Sequence, residues 1–253
     1  MTQRWKLTIE YDGTSFCGWQ RQKEEISVQQ VIEEAVYKFC GEKADICCAG
    51  RTDAGVHALG QVAHVDIARH STEKEVRDAI NAHLRGHAVS ILKAEAVEEG
   101  FHARFGATHR VYCYKILTGR VAPPAIGASY VWHVKRDLDV EAMHRAAQYL
   151  LGEHDFSSFR ASACQAKSPI RTMKRLDVIE KDYGWGFGRH IEIWAESRSF
   201  LHHQIRNMTG TLKLVGEGAW QAEDVKLALE AKDRAAAGTM APSSGLYFVR
   251  VDY

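Results

Sequence analysis

The sequence predicts an α+β fold built from two ferredoxin-like (βαββαβ) halves that share an extended, mainly antiparallel sheet with helices on one face. Three observations predict it. Strand and helix patterns run strand, helix, strand, strand, helix, strand through residue 97; a similar order recurs after residue 109; and several of the helix patterns carry capping signals of their own. No sequence repeat is visible between the halves, so the duplication rests on pattern. The division expected is 1–105 for an N-terminal α+β half and 106–253 for a C-terminal one.

The elements follow in order. Trp5, Leu7, Ile9 and Tyr11 alternate with Lys6, Thr8 and Glu10, the period of a half-buried strand that stops at Asp12-Gly13. Ser27 and Gln30 make a capping-box pattern ahead of Val28, Val31, Ile32, Ala35, Val36 and Phe39, with Gly41 marking the helix end. An apolar run from Ile46 to Ala49 and an alternating run from Gly60 read as two strands joined by a loop. Thr72 and Glu75 repeat the capping pattern before Val76, Ala79, Ile80 and Leu84, and Gly86 closes that helix. Residues 89–97 read as the fourth strand.

In the second half, residues 109–117 form a strand with Tyr112, Tyr114 and Ile116 on one face, and 120–129, with Pro123-Pro124, form a loop. A short extension covers 130–134. Asp139 caps a helix carrying Val140, Met143, Ala147, Leu150 and Leu151, which Gly152 stops. Strands are expected at 173–180 and 190–195 around the turn 182–186, helices at 200–215 and 222–231, and a last strand at 246–252.

Composition narrows the class of protein. The apolar runs are far too short to span a membrane, and the N-terminus enters a strand pattern at once with no room for a signal peptide, so a cytoplasmic protein is expected. Six cysteines, at 17, 40, 47, 48, 113 and 164, lie mostly inside apolar runs without a Cys-x-x-Cys pair, the pattern of small buried hydrophobes in a reducing compartment. The formal charge of +1 announces no partner by itself. Cations do cluster locally, at Arg104, His109 and Arg110, and again at Arg160, Lys167, Arg171, Lys174 and Arg175. Such a run is ordinarily a solvated face.

The stretch with most chemical content is Gly50-Arg51-Thr52-Asp53-Ala54-Gly55-Val56-His57-Ala58, followed by Gly60-Gln61-Val62-Ala63-His64. Asp53 sits between two glycines that free the backbone for tight turns and close approach of another molecule. An anonymous turn of this composition would be a solvated loop. The whole string, however, resembles the signature of the TruA family of tRNA pseudouridine synthases. Further blocks appear in family order: Tyr11-Asp12-Gly13-Thr14, Gly18-Trp19-Gln20-Arg21-Gln22, Phe101-His102-Ala103-Arg104-Phe105, Tyr112-Cys113-Tyr114, Asp155-Phe156-Ser157-Ser158-Phe159-Arg160, His202-His203-Gln204-Ile205-Arg206-Asn207 and Gly245-Leu246-Tyr247.

The resemblance implies a cofactor-independent, metal-free isomerisation of uridine to pseudouridine in tRNA, at positions 38 to 40 of the anticodon stem-loop, by a homodimer whose active site lies in a cleft between the two halves. It implies Asp53 as the catalytic carboxylate, Arg206 as its ion-pair partner and Tyr112 as the residue that stacks on the uracil. Leu246 would form an apolar wall of the pocket. Arg51 and His57 would fill the space left by the turned-out base or hold the displaced backbone, and the clustered cations, Arg104 and Arg160 among them, become candidate phosphate contacts, which position RNA without reading its sequence. There are departures: His83 stands where the family commonly has Asn, Arg85 where Pro is usual, and Val111 where a basic residue is frequent.

Two rival readings remain. His57, His64 and Asp66 with His202 and His203 offer metal-ligand chemistry for a nuclease or phosphatase, at spacings that match no familiar metal pattern. A non-catalytic RNA-binding module would keep the scaffold without the chemistry. Neither a Walker A loop nor a dinucleotide fingerprint is present.

Overall fold

The computed structural model describes residues 2–182 and 186–253. The chain is α+β, with ten strands in mostly antiparallel sheet and five α-helices among those residues. It divides into two compact units, Met1–Arg110 with Tyr247–Tyr253, and Val111–Leu246. None of the described helices is long and apolar enough to cross a membrane.

In the first unit, β1 (Gln3–Tyr11) lies between β4 (Val89–Val97) and β3 (His57–Ile67), antiparallel to both, and the two-residue β2 (Cys47–Cys48) pairs antiparallel with β3. That order, 4-1-3-2, is the split βαβ arrangement. It forms because Trp5, Leu7, Ile9 and Tyr11 all point to one buried face, against which α1 (Val28–Cys40) and α2 (Glu73–His83) bury their own apolar stripes. The C-terminal strand, β10 (Leu246–Asp252), adds parallel to β3, Tyr247 opposite His57 and Phe248 opposite Ala58. Gly60 permits that approach, since a Cβ there would lie 2.6 Å from the Val249 carbonyl oxygen.

Helix ends follow the caps closely. Thr72 and Glu75 form a complete capping box. Ser27 accepts from the Gln30 N–H, and the Gln30 amide donates to Glu34 at 2.9 Å. Gly41, at φ 77°, closes α1.

In the second unit, β5 (His109–Thr118), β9 (Arg189–Ser197), β8 (Ile170–Lys181) and β7 (Gly152–Asp155) follow one another in the sheet, with β6 (Trp132–His133) parallel to β5. The helix α3 (Val140–Gln148) packs on β8 and against α4 (Gln204–Gly216) and α5 (Ala222–Ala231). Two differences from the sequence reading have physical causes. β7, Gly-Glu-His-Asp, has no apolar alternation and exists through its backbone pairing with β8. The helix expected from residue 200 starts at Gln204, because His203 takes the left-handed conformation (φ 63°) and breaks the run. Part of the turn expected at 182–186 lies outside the described residues.

Candidate active site

The loop carrying Asp53 is fixed to the first unit from two sides. On one side runs the chain after β1. Trp19 N–H donates to the Thr52 carbonyl at 3.0 Å, Gly18 forms an antiparallel bridge with Asp53, and Gly55 N–H donates to the Phe16 carbonyl at 3.3 Å. The approach is close enough to require glycine. A Cβ at Gly18 would lie 2.6 Å from the Thr52 oxygen, and one at Gly13 would lie 2.0 Å from the Val56 oxygen. On the other side are side chains from the sheet. The Gln61 amide donates to the Gly50 carbonyl at 2.6 Å and its oxygen accepts from Gly50 N–H at 3.4 Å; Tyr11 Oη lies 2.7 Å from Thr52 Oγ1. Asp53 itself is half-buried.

Its two flanking candidates differ in exposure. Arg51 is exposed, whereas His57 is buried, with its ring stacked on Tyr247 at 4.9 Å and its Nδ1 accepting from Gly13 N–H at 3.1 Å. Arg104 is exposed, its guanidinium 5.7 Å from the centre of the Phe105 ring, and Phe105 in turn packs on His102 at 4.4 Å. Arg110, grouped with it by sequence, is buried and donates to the Ala49 and Arg104 carbonyls at 2.8 Å each. It ties the start of the Asp53 loop to the 101–105 segment instead of facing a ligand, a correction to the cation cluster expected there.

The remaining candidates belong to the second unit. Tyr112 is buried in β5, edge-on to Phe200 at 5.1 Å. The neighbouring Tyr114 donates from its hydroxyl to the Pro242 carbonyl at 2.7 Å, and burial pushes its pKa far up. Leu246 opens β10 and is buried; Gly245 before it sits so close to β5 that a Cβ would meet the Lys115 oxygen at 2.6 Å. Arg206 is the third residue of α4 and is held twice to Ala241: its Nε donates to that carbonyl at 2.8 Å, and its own carbonyl accepts from Ala241 N–H at 3.1 Å. Two of its neighbours in the motif are structural. Gln204 Oε1 accepts from Leu201 N–H at 2.8 Å, and Asn207 Nδ2 donates to the Phe159 carbonyl at 2.9 Å. Arg160 spends one nitrogen on the carbonyls of Cys164 and Ala166, 2.7 and 2.8 Å away, which folds its own loop.

Metal chemistry fares poorly in the first unit. Asp66 is engaged by Arg4 through both oxygens, at 2.8 and 2.7 Å. His64 does meet Cys47 and His102, their donor atoms within 4.8 Å of one another. Yet His64 Nδ1 accepts from Ala103 N–H, and His102 Nδ1 from Arg104 and Phe105 N–H, which puts each neutral imidazole's proton on Nε2 and leaves no lone pair for an ion. Burial holds the Cys47 thiol above its ordinary pKa and pushes His64 below its own. The three do not fit a divalent cation.

Comparison with known proteins decides the family. A family model for tRNA pseudouridine synthases matches residues 7–106 and 146–253. The chain belongs to the tRNA pseudouridine synthase family. Relatives called tRNA pseudouridine synthase A, from Rhodospirillum centenum and Mesorhizobium japonicum, are 57% and 54% identical to it; the first alignment covers 99% of this chain and 100% of the relative, the second 99% of each. As a member of the family this synthase is an isomerase acting on uridine in tRNA. The sequence reading found this synthase's Asp53 loop but gave no role to the groups beneath it. Tyr11, Thr52 and Gln61 lie inside the blocks quoted for the resemblance, but their burial and their bonds to the loop depend on contacts distant in the chain.

Proposed function

We propose that this synthase isomerises uridines at positions 38 to 40 of the tRNA anticodon stem-loop, without a cofactor, using Asp53 as its catalytic carboxylate. In the reaction the N1–C1′ bond of the uridine breaks, a C5–C1′ bond forms, the C5 proton leaves and N1 gains one. An ionised carboxylate serves this either as nucleophile or as base on the ribose. Arg206 supplies the guanidinium that opposes protonation of Asp53 once substrate excludes water. Tyr112 stacks on the uracil and Leu246 walls the pocket. Turning the target base out of its stack costs a few kcal/mol. Arg51 is exposed and suited to the vacated space or the displaced backbone, while His57, buried against Tyr247, acts by shaping the loop. Arg104 and Arg160 contact phosphates, and the enzyme works in the cytoplasm as a homodimer that binds one tRNA across both subunits.

The observation that carries this reading is the fixation of a half-buried carboxylate on a glycine-flanked loop, held from both sides by backbone and side-chain bonds. Preorganisation of this kind is what a charged catalytic group needs, and a solvated turn does not. The test is to map pseudouridine in tRNA treated with the wild type and with Asp53→Ala. The variant should leave positions 38 to 40 as uridine; wild-type yield from it would remove Asp53 from the mechanism.

A further inference from the structure

Directly beneath the Asp53 loop lies a buried polar cluster that the reaction as described leaves unused. Tyr11 on β1 and Gln61 on β3 are 3% and 0% exposed, and Thr52 in the loop is 8% exposed. Tyr11 Oη meets Thr52 Oγ1 at 2.7 Å, and the Gln61 amide holds Gly50 through both backbone groups. Burial keeps the Tyr11 phenol protonated, so this link persists at any working pH. A shift in the β1–β3 register between Ile9 and Tyr11 brings Tyr11 opposite Ala58 and places its ring near the loop.

Stability alone does not account for this cluster. Apolar isosteres at both ends of a buried hydrogen bond are often neutral or stabilising, whereas a satisfied polar network fixes one geometry. Here the fixed geometry is that of Gly50 and Thr52, the residues on either side of Arg51. Thr52 is also the residue before Asp53. Its side chain is held by Tyr11 and its carbonyl by Trp19 N–H, so neither its rotamer nor the peptide plane leading to Asp53 can turn. Trp19 in turn packs against the Tyr11 ring at 6.1 Å, which couples the two restraints.

We propose that Tyr11 is a positioning residue that sets the direction of the Asp53 carboxylate through Thr52. The proposal rests on Asp53 being the catalytic carboxylate. Loss of the restraint lets the carboxylate wander without altering the surface that binds tRNA, so kcat falls and KM stays.

The experiment is steady-state kinetics on a tRNA transcript, with thermal unfolding alongside, for Tyr11→Phe, Thr52→Val, Thr52→Ser, the double variant Tyr11→Phe/Thr52→Val, and Asp53→Ala. Tyr11→Phe and Thr52→Val should each lower kcat by about 10- to 100-fold, the scale on which a misplacement of about 1 Å acts, at unchanged KM. Thr52→Ser should keep most of the rate, because it keeps the hydroxyl. The double variant should be no slower than the worse single one, because both remove the same bond. Wild-type kcat in Tyr11→Phe, rate losses that multiply in the double variant, or a kcat loss accounted for by the unfolded fraction would each overturn the proposal. Asp53→Ala separates the two readings. If it is inactive while Tyr11→Phe is fully active, only the positioning role fails; if it turns over normally, the parent reading fails first.

Discussion

Gly13 shows how little freedom single residues have around the Asp53 loop. A methyl group there would sit 2.0 Å from the Val56 carbonyl oxygen, 2.5 Å from its carbon and 2.9 Å from its nitrogen, all backbone atoms that cannot rotate aside. The Gly13 N–H also donates to His57, so any shift that relieves the clash breaks that bond as well. Gly41 makes a useful contrast. It is required only for its φ of 77°, with nothing within 4 Å of an added Cβ. Gly41→Ala should therefore cost about 1 kcal/mol, the ordinary left-handed penalty, and leave turnover intact. Gly13→Ala should cost about 2 kcal/mol or more and lower kcat, because the displaced segment carries both Val56 and the loop before it. Denaturant unfolding and tRNA turnover on the two variants check this; equal costs for both would show that the space at Gly13 can open.

At the scale of elements, the start of α4 is where sequence pattern and structure part. Phe200 and Leu201 extend the apolar periodicity of the helix, so a reading by period begins it there, yet Phe200 packs against Tyr112 and Leu201 belongs to a turn closed by Gln204. The left-handed His203 sets the true boundary, and the contacts that seat the helix are polar and non-local. Asn207 bonds the Phe159 carbonyl through Nδ2 and receives Arg234 Nη2 at Oδ1 at 3.1 Å, joining three separate segments at one buried side chain. Asn207→Leu keeps the volume and removes both bonds, leaving a buried carbonyl and a guanidinium nitrogen without this partner. A loss of about 2–4 kcal/mol is expected from the two groups together, read as a fall in the unfolding midpoint; a change under about 0.5 kcal/mol would mean water replaces the amide. The same distinction explains the rest of the reading. α2 and α3 were legible because their caps and stripes are local, as in the Thr72 and Glu75 box and the Asp139 cap. β7 was not, since a Gly-Glu-His-Asp strand declares itself only through its neighbour β8.

For the whole molecule, the question is how a chain with 33 basic and 32 acidic residues attracts a polyanion. Sequence clustering named the cations without telling which of them are spent internally, because that depends on contacts distant in the chain. Arg110 is spent on the carbonyls of Ala49 and Arg104, and Arg160 places one nitrogen on those of Cys164 and Ala166. Lys174 and Arg175 lie beside Glu196 and Asp177, at 3.2 and 2.5 Å. Arg104, by contrast, is exposed, with its guanidinium lying over the equally exposed Phe105 ring. A cation that neutralises one phosphate contributes about 0.7–0.9 to the slope of log binding constant against log salt. Arg104→Ala should accordingly weaken tRNA binding, reduce that slope by about 1 and leave the unfolding temperature in place. Arg110→Ala should do the reverse, lowering the unfolding temperature, because it empties a buried guanidinium site, while folded protein keeps the wild-type salt slope. Titrations of labelled tRNA at several salt concentrations, on variants whose folding has been verified, separate the two. An unchanged slope for Arg104→Ala would take that residue out of the RNA-binding surface.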